Sequence, residues 1–190
     1  MSEVSRCAWC LGSDAYKAYH DDEWGRPQHD DRVLFEFLIL EGAQAGLSWS
    51  TILNKRDGYR RVFAQFDALK LSRWSDEKLE SALQDVGIVR NRLKVWSVRT
   101  NARAFLAVQK EFGSFDRYLW NWVEGEPLLN HWTDLKQVPP RTELSDRVSK
   151  DLLKRGFKFV GSTIVYAYLQ AMGVVNDHLS SCHRHPGFKG

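Results

Sequence analysis

Apolar residues recur at intervals of three and four positions over most of this 190-residue chain, and β-type alternation is scarce. The segment 31–42 is apolar almost all round, which is typical of a helix buried at the centre of a domain. Other segments with helical spacing begin after Ser75 and at Asn91, and lie at about residues 115–123, 143–155 and 160–172. Ser75, Ser114 and Thr142 are candidate N-caps of these helices. We therefore predict an all-α fold, with a proline-containing loop at 125–141.

The length and composition fit one globular domain spanning residues 1–190. Hydrophobic residues make up 43% and charged residues 27%, which excludes a disordered chain. Three cysteines and the lack of an apolar leader favour a reduced, cytoplasmic protein. No apolar run reaches the roughly 18 residues of a membrane span, so we expect no membrane partner.

Residues that bind metals concentrate near the two ends of the chain. They are Cys7, Cys10 and His20 near the start, and His178, Cys182, His183 and His185 near the finish. Structural zinc takes four thiolate or imidazole ligands, and His178 and Cys182 are four positions apart, as on one face of a helical turn. A metal bound by both groups would tie the termini together. The alternative is buried cysteines and surface histidines without a metal.

The sequence of residues 83–92 predicts the end of one helix, a tight turn with Gly87 as a left-handed cap, and the start of a second helix. Such a hairpin directs backbone N–H groups at a phosphate. Six basic residues in 83–110 accompany the single acid Asp85, and a second basic stretch covers 147–158. These clusters favour a polyanion such as DNA, with Arg90 and Lys158 as candidate phosphate contacts. Two solvated helix faces would have the same composition.

Glu41 is an acid at the end of the most apolar predicted helix, where a carboxylate is costly unless it is paired or useful. Aromatic residues occur on both sides of it, at Tyr16, Tyr19, Trp24 and Trp49. Rings and one carboxylate suit a flat cation through stacking, cation–π attraction and a charged hydrogen bond. The alternative is that Glu41 ends a helix in solvent and the rings belong to the core.

At these residues the chain resembles the bacterial 3-methyladenine DNA glycosylase I family, the constitutive alkylation-repair glycosylases of the helix-hairpin-helix class. The matching blocks occur in order at 6–9, 16–25, 40–49, 154–161 and 173–178. Because they are long and cover nearly the whole chain, the resemblance is specific. Two departures are the extra thiol of Cys10, a potential competitor for the metal, and Leu93 after the hairpin, where the family has a glycine.

The resemblance implies a helix-hairpin-helix glycosylase fold and a structural zinc site that joins the N- and C-terminal segments. It implies a monomeric, monofunctional enzyme that removes 3-methyladenine, and less efficiently 3-methylguanine, from alkylated duplex DNA. The implied zinc ligands are Cys7, His20, His178 and Cys182. The implied base pocket consists of Glu41, Tyr16, Tyr19 and Trp49, with Trp9 and Trp24 nearby.

Two other functions remain in view at this point. A non-enzymatic, zinc-stabilised DNA-binding module would explain the hairpin, the charge and the metal, but it leaves Glu41 and its rings without a purpose. A glycosylase for a neutral oxidised base would need a nucleophilic lysine with an aspartate, a pair that we cannot place in this sequence.

Overall fold

The computed structural model describes residues 4–188, and this part of the chain is mostly helical, which confirms the predicted all-α class. The helices are α1 (Asp14–Asp22), α2 (Asp31–Gln44), α3 (Trp49–Val62), α4 (Ala68–Ser72), α5 (Asp76–Leu83), α6 (Arg92–Phe112), α7 (Phe115–Trp120), α8 (Glu143–Lys154) and α9 (Ser162–Ala171). Short 3-10 turns cover Ala8–Cys10, Ala64–Phe66, Asn121–Val123 and Leu135–Gln137, and two-residue strands cover β1 (Leu128–Leu129) and β2 (Val175–Asn176).

Helix α2 lies at the centre of the fold. Asp30 caps its start, since its side chain accepts the N–H groups of Arg32 and Val33. Every residue from 34 to 43 is buried, because α3, α6, α7 and α9 all pack against this helix. The all-round apolar character of the segment therefore matches its surroundings, and Glu41 lies inside the protein.

Helix α5 starts at the predicted cap, where the Ser75 side chain accepts the N–H of Lys78, but it ends at Leu83, earlier than predicted. The φ angle of Gly87 is not positive, so the predicted left-handed cap is wrong. A different constraint requires glycine: a Cβ on Gly87 would lie 3.2 Å from Cα of Gly58, and one on Gly58 only 2.2 Å from O of Gly87. The turn thus approaches α3 backbone to backbone.

Helix α3 is a long element that the apolar spacing did not predict. Its buried residues are Trp49, Ile52, Arg56 and Tyr59, at helical intervals, but one of them is charged. Arg56 is stabilised there by an ion pair of 2.5 Å with Glu36 of α2, together with a second to Glu23. Because one of the buried positions is occupied by a charged residue, the spacing of apolar residues alone does not reveal this helix.

The first and last described segments lie side by side. Ser5 accepts the N–H of His183 at 2.9 Å, and the Ser5 hydroxyl donates to O of Ser181 at 2.6 Å. The predicted loop 125–141 contains β1, which pairs in parallel with β2 from the C-terminal part of the chain. Residues 1–3 and 189–190 of the predicted domain lie outside the described part. None of the helices within 4–188 combines the length and the apolar character that crossing a membrane requires.

Candidate active site and metal centre

A cavity of about 350 Å³ lies between α1, the end of α2, the start of α3 and α9. Aromatic rings form much of its wall: Trp9, Tyr16, Tyr19, Trp24 and Trp49. The remaining lining residues are Glu41, Gln44, Leu135, Val138, Ala167, Gln170 and Asp177. The structure thus brings the residues predicted for a base pocket around one space.

The aromatic rings contact one another mainly at tilted or edge-on angles. The ring of Trp9 lies 5.1 Å from that of Tyr16 and 5.0 Å from that of Trp24, both in edge-to-face contact. On the other side, Tyr19 lies 5.5 Å from Trp49. Such contacts add about 0.5–1.5 kcal/mol each beyond burial. The rings are therefore held in place by the protein, and flat surfaces are available before a ligand arrives.

Glu41 lies near the end of α2 and is 4% exposed. Its Oε2 has no hydrogen-bond partner, and neither do Oη of Tyr19 and Nε1 of Trp49. Four buried side-chain atoms in the described part of the chain are unpartnered in this way, and three of them belong to this cavity wall. Each costs about 1–3 kcal/mol while it stays unsatisfied. A flat, polar ligand in the cavity would form hydrogen bonds with all three of these atoms at once.

Burial raises the pKa of Glu41 to about 8. The pKa values of Tyr16 and Tyr19 are raised as well, chiefly by burial and then by the negative charge of Glu41. At neutral pH, burial therefore favours a neutral carboxyl group in the free protein. A cation in the cavity would favour the ionised form.

Asp177 is a second buried carboxylate in the cavity wall, which the sequence interpretation missed. Its Oδ1 accepts hydrogen bonds from Asn130 at 2.7 Å and from Trp132 at 2.8 Å. Its Oδ2 accepts from Gln170 at 2.7 Å and from the hydroxyl of Tyr166. This one side chain joins the 125–141 loop to α9 behind the cavity. Its position next to His178 in a mostly apolar run was the signal available in the sequence.

Cys7, His20, His178 and Cys182 form a buried cluster whose ligand atoms all lie within 4.8 Å of one another. Sγ of Cys182 lies 3.4 Å from Nε2 of His20 and 3.6 Å from Nδ1 of His178, which in turn lies 3.8 Å from Sγ of Cys7. Tetrahedral zinc with bonds of about 2.3 Å to sulfur and about 2.0 Å to nitrogen separates such atoms by about 3.5 Å. Three of the distances between these ligand atoms are close to this value, so the four residues could hold a metal ion such as zinc.

The groups around this cluster orient its members toward a common centre. Nδ1 of His20 lies 2.7 Å from the Asp21 carboxylate, and Nε2 of His178 lies 3.1 Å from the carbonyl oxygen of Trp24, so the other ring nitrogen of each histidine faces inward. Backbone N–H groups donate to both sulfurs, at 3.5 Å for Cys7 and 3.4 Å for Cys182. Since Trp24 also lines the cavity, the cluster and the cavity share a wall.

The other candidate ligands lie outside this cluster. The thiol of Cys10 donates to the carbonyl oxygen of Cys7 at 3.1 Å. His183 lies 3.6 Å from Asp21, and His185 lies 3.0 Å from the carbonyl oxygen of Asn130. In the structure, Cys10 therefore has a partner of its own and is not one of the four clustered ligands.

The segment between α5 and α6 is held by contacts with α3. The Gly87 amide donates to the Asp85 carboxylate at 2.7 Å, and this carboxylate pairs with Arg61 at 2.7 Å. The amide of Val89 donates to the hydroxyl of Tyr59 at 3.2 Å. The turn is thus fixed from behind, and the Gly87 amide already has a partner within the protein.

Much of the basic cluster in 83–110 is used internally. Arg92 pairs with Glu80 and Arg99 with Asp76, while Lys94 and Arg103 donate to backbone carbonyls. Arg90 is exposed beside the turn. Lys158 is exposed too, and its backbone is fixed by Asn101, which accepts its N–H at 2.8 Å and donates to its carbonyl at 3.1 Å.

The chain is similar to known proteins over nearly its whole length. Residues 9–185 match the family described as methyladenine glycosylase. DNA-3-methyladenine glycosylase 1 of Escherichia coli K12 is 46% identical over 186 residues, covering 98% of this chain and 100% of the relative. A crystal structure of a 3-methyladenine DNA glycosylase I superposes with a TM-score of 0.93 at 47% identity, covering 95% of this chain and all of the other.

A second solved relative is a variant of a 3-methyladenine DNA glycosylase I in complex with 3-methyladenine. It matches with a TM-score of 0.92 at 32% identity and covers 95% of this chain and 97% of its own. Sequence and structural similarity both extend over nearly the whole length. The chain therefore belongs to the methyladenine glycosylase family of enzymes.

Proposed function

We propose that this protein hydrolyses the N-glycosidic bond of 3-methyladenine in alkylated duplex DNA and leaves an abasic site. The observation that carries the proposal is the trio of unpartnered buried atoms, Oη of Tyr19, Oε2 of Glu41 and Nε1 of Trp49, around an aromatic cavity. The name of the E. coli relative and the 3-methyladenine complex of another relative support the same substrate.

The lesion itself makes the reaction easy. Methylation at N3 places a formal positive charge on the adenine of a nucleotide, and the base leaves as a neutral molecule, so departure needs little acid assistance. The base must first leave the duplex stack, at a cost of a few kcal/mol that is lowest for damaged pairs. Selective binding of the flipped base can therefore supply most of the specificity.

Glu41 would pair with the cationic base through a charge-assisted hydrogen bond, and Trp49 would stack on its face. The hydroxyls of Tyr16 and Tyr19 would hold its edge, with Trp9 and Trp24 closing the wall behind them. Neutral adenine has nearly the same shape but gains less from a carboxylate and from aromatic faces. Charge therefore distinguishes the lesion from the normal base.

Water would be the nucleophile in this reaction. No lysine lines the cavity in the part of the chain that the structure describes, so a Schiff-base intermediate has no candidate donor there. We therefore propose a monofunctional enzyme, which releases the base without cutting the strand. 3-Methylguanine would be a weaker substrate, because it has an oxygen where adenine has an amino group and offers Glu41 no donor at that position.

We propose that zinc binds Cys7, His20, His178 and Cys182 and acts structurally. A closed shell of four protein ligands leaves no position for a reactive water. The ion would join the N- and C-terminal segments into a stabilised subdomain of a single glycosylase domain. Because the Trp24 carbonyl holds His178, the metal would also steady one wall of the cavity.

DNA would be bound by a helix-hairpin-helix element formed by α5, the 84–91 turn and α6. Gly87 lets the turn pack closely on α3, and Arg90 and Lys158 would contact phosphates on the exposed side. These contacts fix the position of the strand without reading its sequence. We propose that the enzyme acts as a monomer in the cytoplasm.

The direct test is base release from a duplex that contains 3-methyladenine, with an undamaged duplex as the control. We expect free 3-methyladenine by chromatography, and strand breaks only after alkali treatment of the abasic product. Glu41→Gln should release far less. Tight DNA binding without base release would instead indicate a non-enzymatic module, and release of a neutral oxidised base would indicate another glycosylase class.

A further inference from the structure

Lys94 lies in the first turn of α6 and is directed into the protein. Its Nζ donates hydrogen bonds to the carbonyl oxygens of Ala43 at 2.8 Å and Ala45 at 2.6 Å. Helix α2 ends at Gln44, so these carbonyls belong to its C-terminal end, where the helix itself provides no partner. A cation at this end also interacts favourably with the helix dipole. Partial burial lowers the pKa of Lys94.

The segment that Lys94 holds connects the two sides of the candidate base pocket. Glu41 precedes it on α2, and Trp49 follows it at the start of α3. Between them the backbone reverses, with Ala45 outside the helical region and Gly46 at a φ of 79°. The distance and angle between the carboxylate and the indole therefore depend on the turn formed by residues 43–47.

The back of this turn packs with little free space against α6 and against the segment that precedes α9. A Cβ on Gly42 would lie 3.1 Å from Cβ of Phe159, and Lys94 and Phe159 line a gap of only about 10 Å³ next to Gly42 and Ala43. A gap of that size is at the limit for a single water molecule. If the ammonium group were removed, the carbonyl of buried Ala43 would have no ready replacement partner.

We propose that Lys94 is a positioning residue for base excision: it holds the 43–47 turn against α6, sets the geometry between Glu41 and Trp49, and does not contact DNA phosphates. Because α6 begins directly after the 84–91 turn, Lys94 also links the DNA-binding element to the pocket. Lys94 is one of the six basic residues in 83–110, but its ammonium group binds carbonyl oxygens within the protein. As far as excision is concerned, this inference rests on the proposed function.

The experiment compares Lys94→Met with the matched control Arg103→Met. Arg103 lies on the same helix, and its Nε donates at 2.8 Å to the carbonyl oxygen of Ser72, the last residue of α4, so it makes the same kind of contact away from the cavity. Three properties are measured well below the melting temperature of each variant. They are amide hydrogen exchange of residues 42–48 without DNA, kcat and KM for excision, and the salt dependence of DNA affinity.

In Lys94→Met we expect faster exchange in 42–48 and a kcat lowered about 10- to 100-fold, the usual effect of misplaced reacting groups. KM and the slope of log affinity against log salt should match the wild type, because no phosphate contact is lost. Arg103→Met should resemble the wild type in all three measurements. A global loss of stability would instead speed exchange throughout the chain, and below the melting temperature it would leave the folded fraction, and so the apparent kcat, nearly unchanged.

Two results would overturn the proposal. A shallower salt slope in Lys94→Met with unchanged exchange in 42–48 would make Lys94 a phosphate contact. Equal changes in Lys94→Met and Arg103→Met would reduce its role to general stability. If the wild type released no base at all, the proposed function would fail, while the exchange comparison would still decide whether Lys94 holds the turn.

Discussion

The raised pKa of Glu41 makes the rate of excision depend on pH in a predictable way. Within the described part of the chain, the titratable side chains that line the cavity with this carboxyl are Tyr16, Tyr19 and Asp177, and none of them is a cation. Burial therefore raises its pKa to about 8 in the free protein. The ionised form, which suits the cationic lesion, becomes more abundant as the pH rises.

The size of the effect follows from this value. With a pKa of about 8, about one molecule in 100 carries an ionised Glu41 at pH 6, and about half do at pH 8. If only the ionised form captures the lesion, kcat/KM should rise about 50-fold between these pH values, equivalent to about 2 kcal/mol. The charge of the N3-methylated nucleotide is fixed, so the substrate does not contribute to the change.

The assay measures kcat/KM, which reports ionisations of the free enzyme, on a duplex with one 3-methyladenine from pH 6 to 9 at constant ionic strength. Spontaneous base loss at each pH is subtracted with a sample that lacks enzyme. Glu41→Gln serves as the second control, because its side chain does not titrate. A wild-type profile that is flat between pH 6 and 8, or a variant with the same rise, would refute the argument.

Glu41→Gln should also be more stable than the wild type by about 3 kcal/mol at pH 7. The reason is that a carboxyl group whose pKa rises from 4.5 to about 8 on folding destabilises the fold increasingly as the pH rises between these values. In urea unfolding, the difference in free energy of unfolding between the variant and the wild type should be larger at pH 8 than at pH 5. Elemental analysis should find one zinc per chain in the wild type and in Cys10→Ser, but not in Cys182→Ala, and loss of zinc from Cys10→Ser would reassign the ligand. Arg90→Ala and Lys158→Ala should each weaken DNA binding and reduce the salt slope by about one, whereas unchanged slopes would place the DNA face elsewhere.

The local features of the sequence predicted the local features of the fold. The apolar spacing of 31–42 corresponds to α2, and Ser75, Ser114 and Thr142 cap helices as expected, because a side-chain oxygen reaches the N–H group three residues ahead wherever the chain turns into a helix. Glu41 stood out for the same reason: a carboxyl group within an apolar helix is unusual on composition alone.

Contacts between distant segments were beyond that reasoning. Helix α3 was not predicted because its buried Arg56 depends on Glu36, which lies on another helix. The sequence predicts a left-handed conformation for Gly87, whereas the structure requires a glycine there because the backbone of Gly58 lies against it. In each case the residue type is explained by a neighbour in space.

The charged groups show the same division most clearly. From the sequence, Lys94 and Arg90 are two cations in one basic cluster, yet the first caps the end of α2 and the second is exposed beside the turn. Asp177 is one acid among many in the sequence, but four donors from two segments surround its carboxylate. Spacing along the chain determines which face of a helix a residue occupies. Only tertiary packing decides which partner lies opposite that face, because hydrogen bonds and ion pairs act over a few ångströms, whatever the separation in sequence.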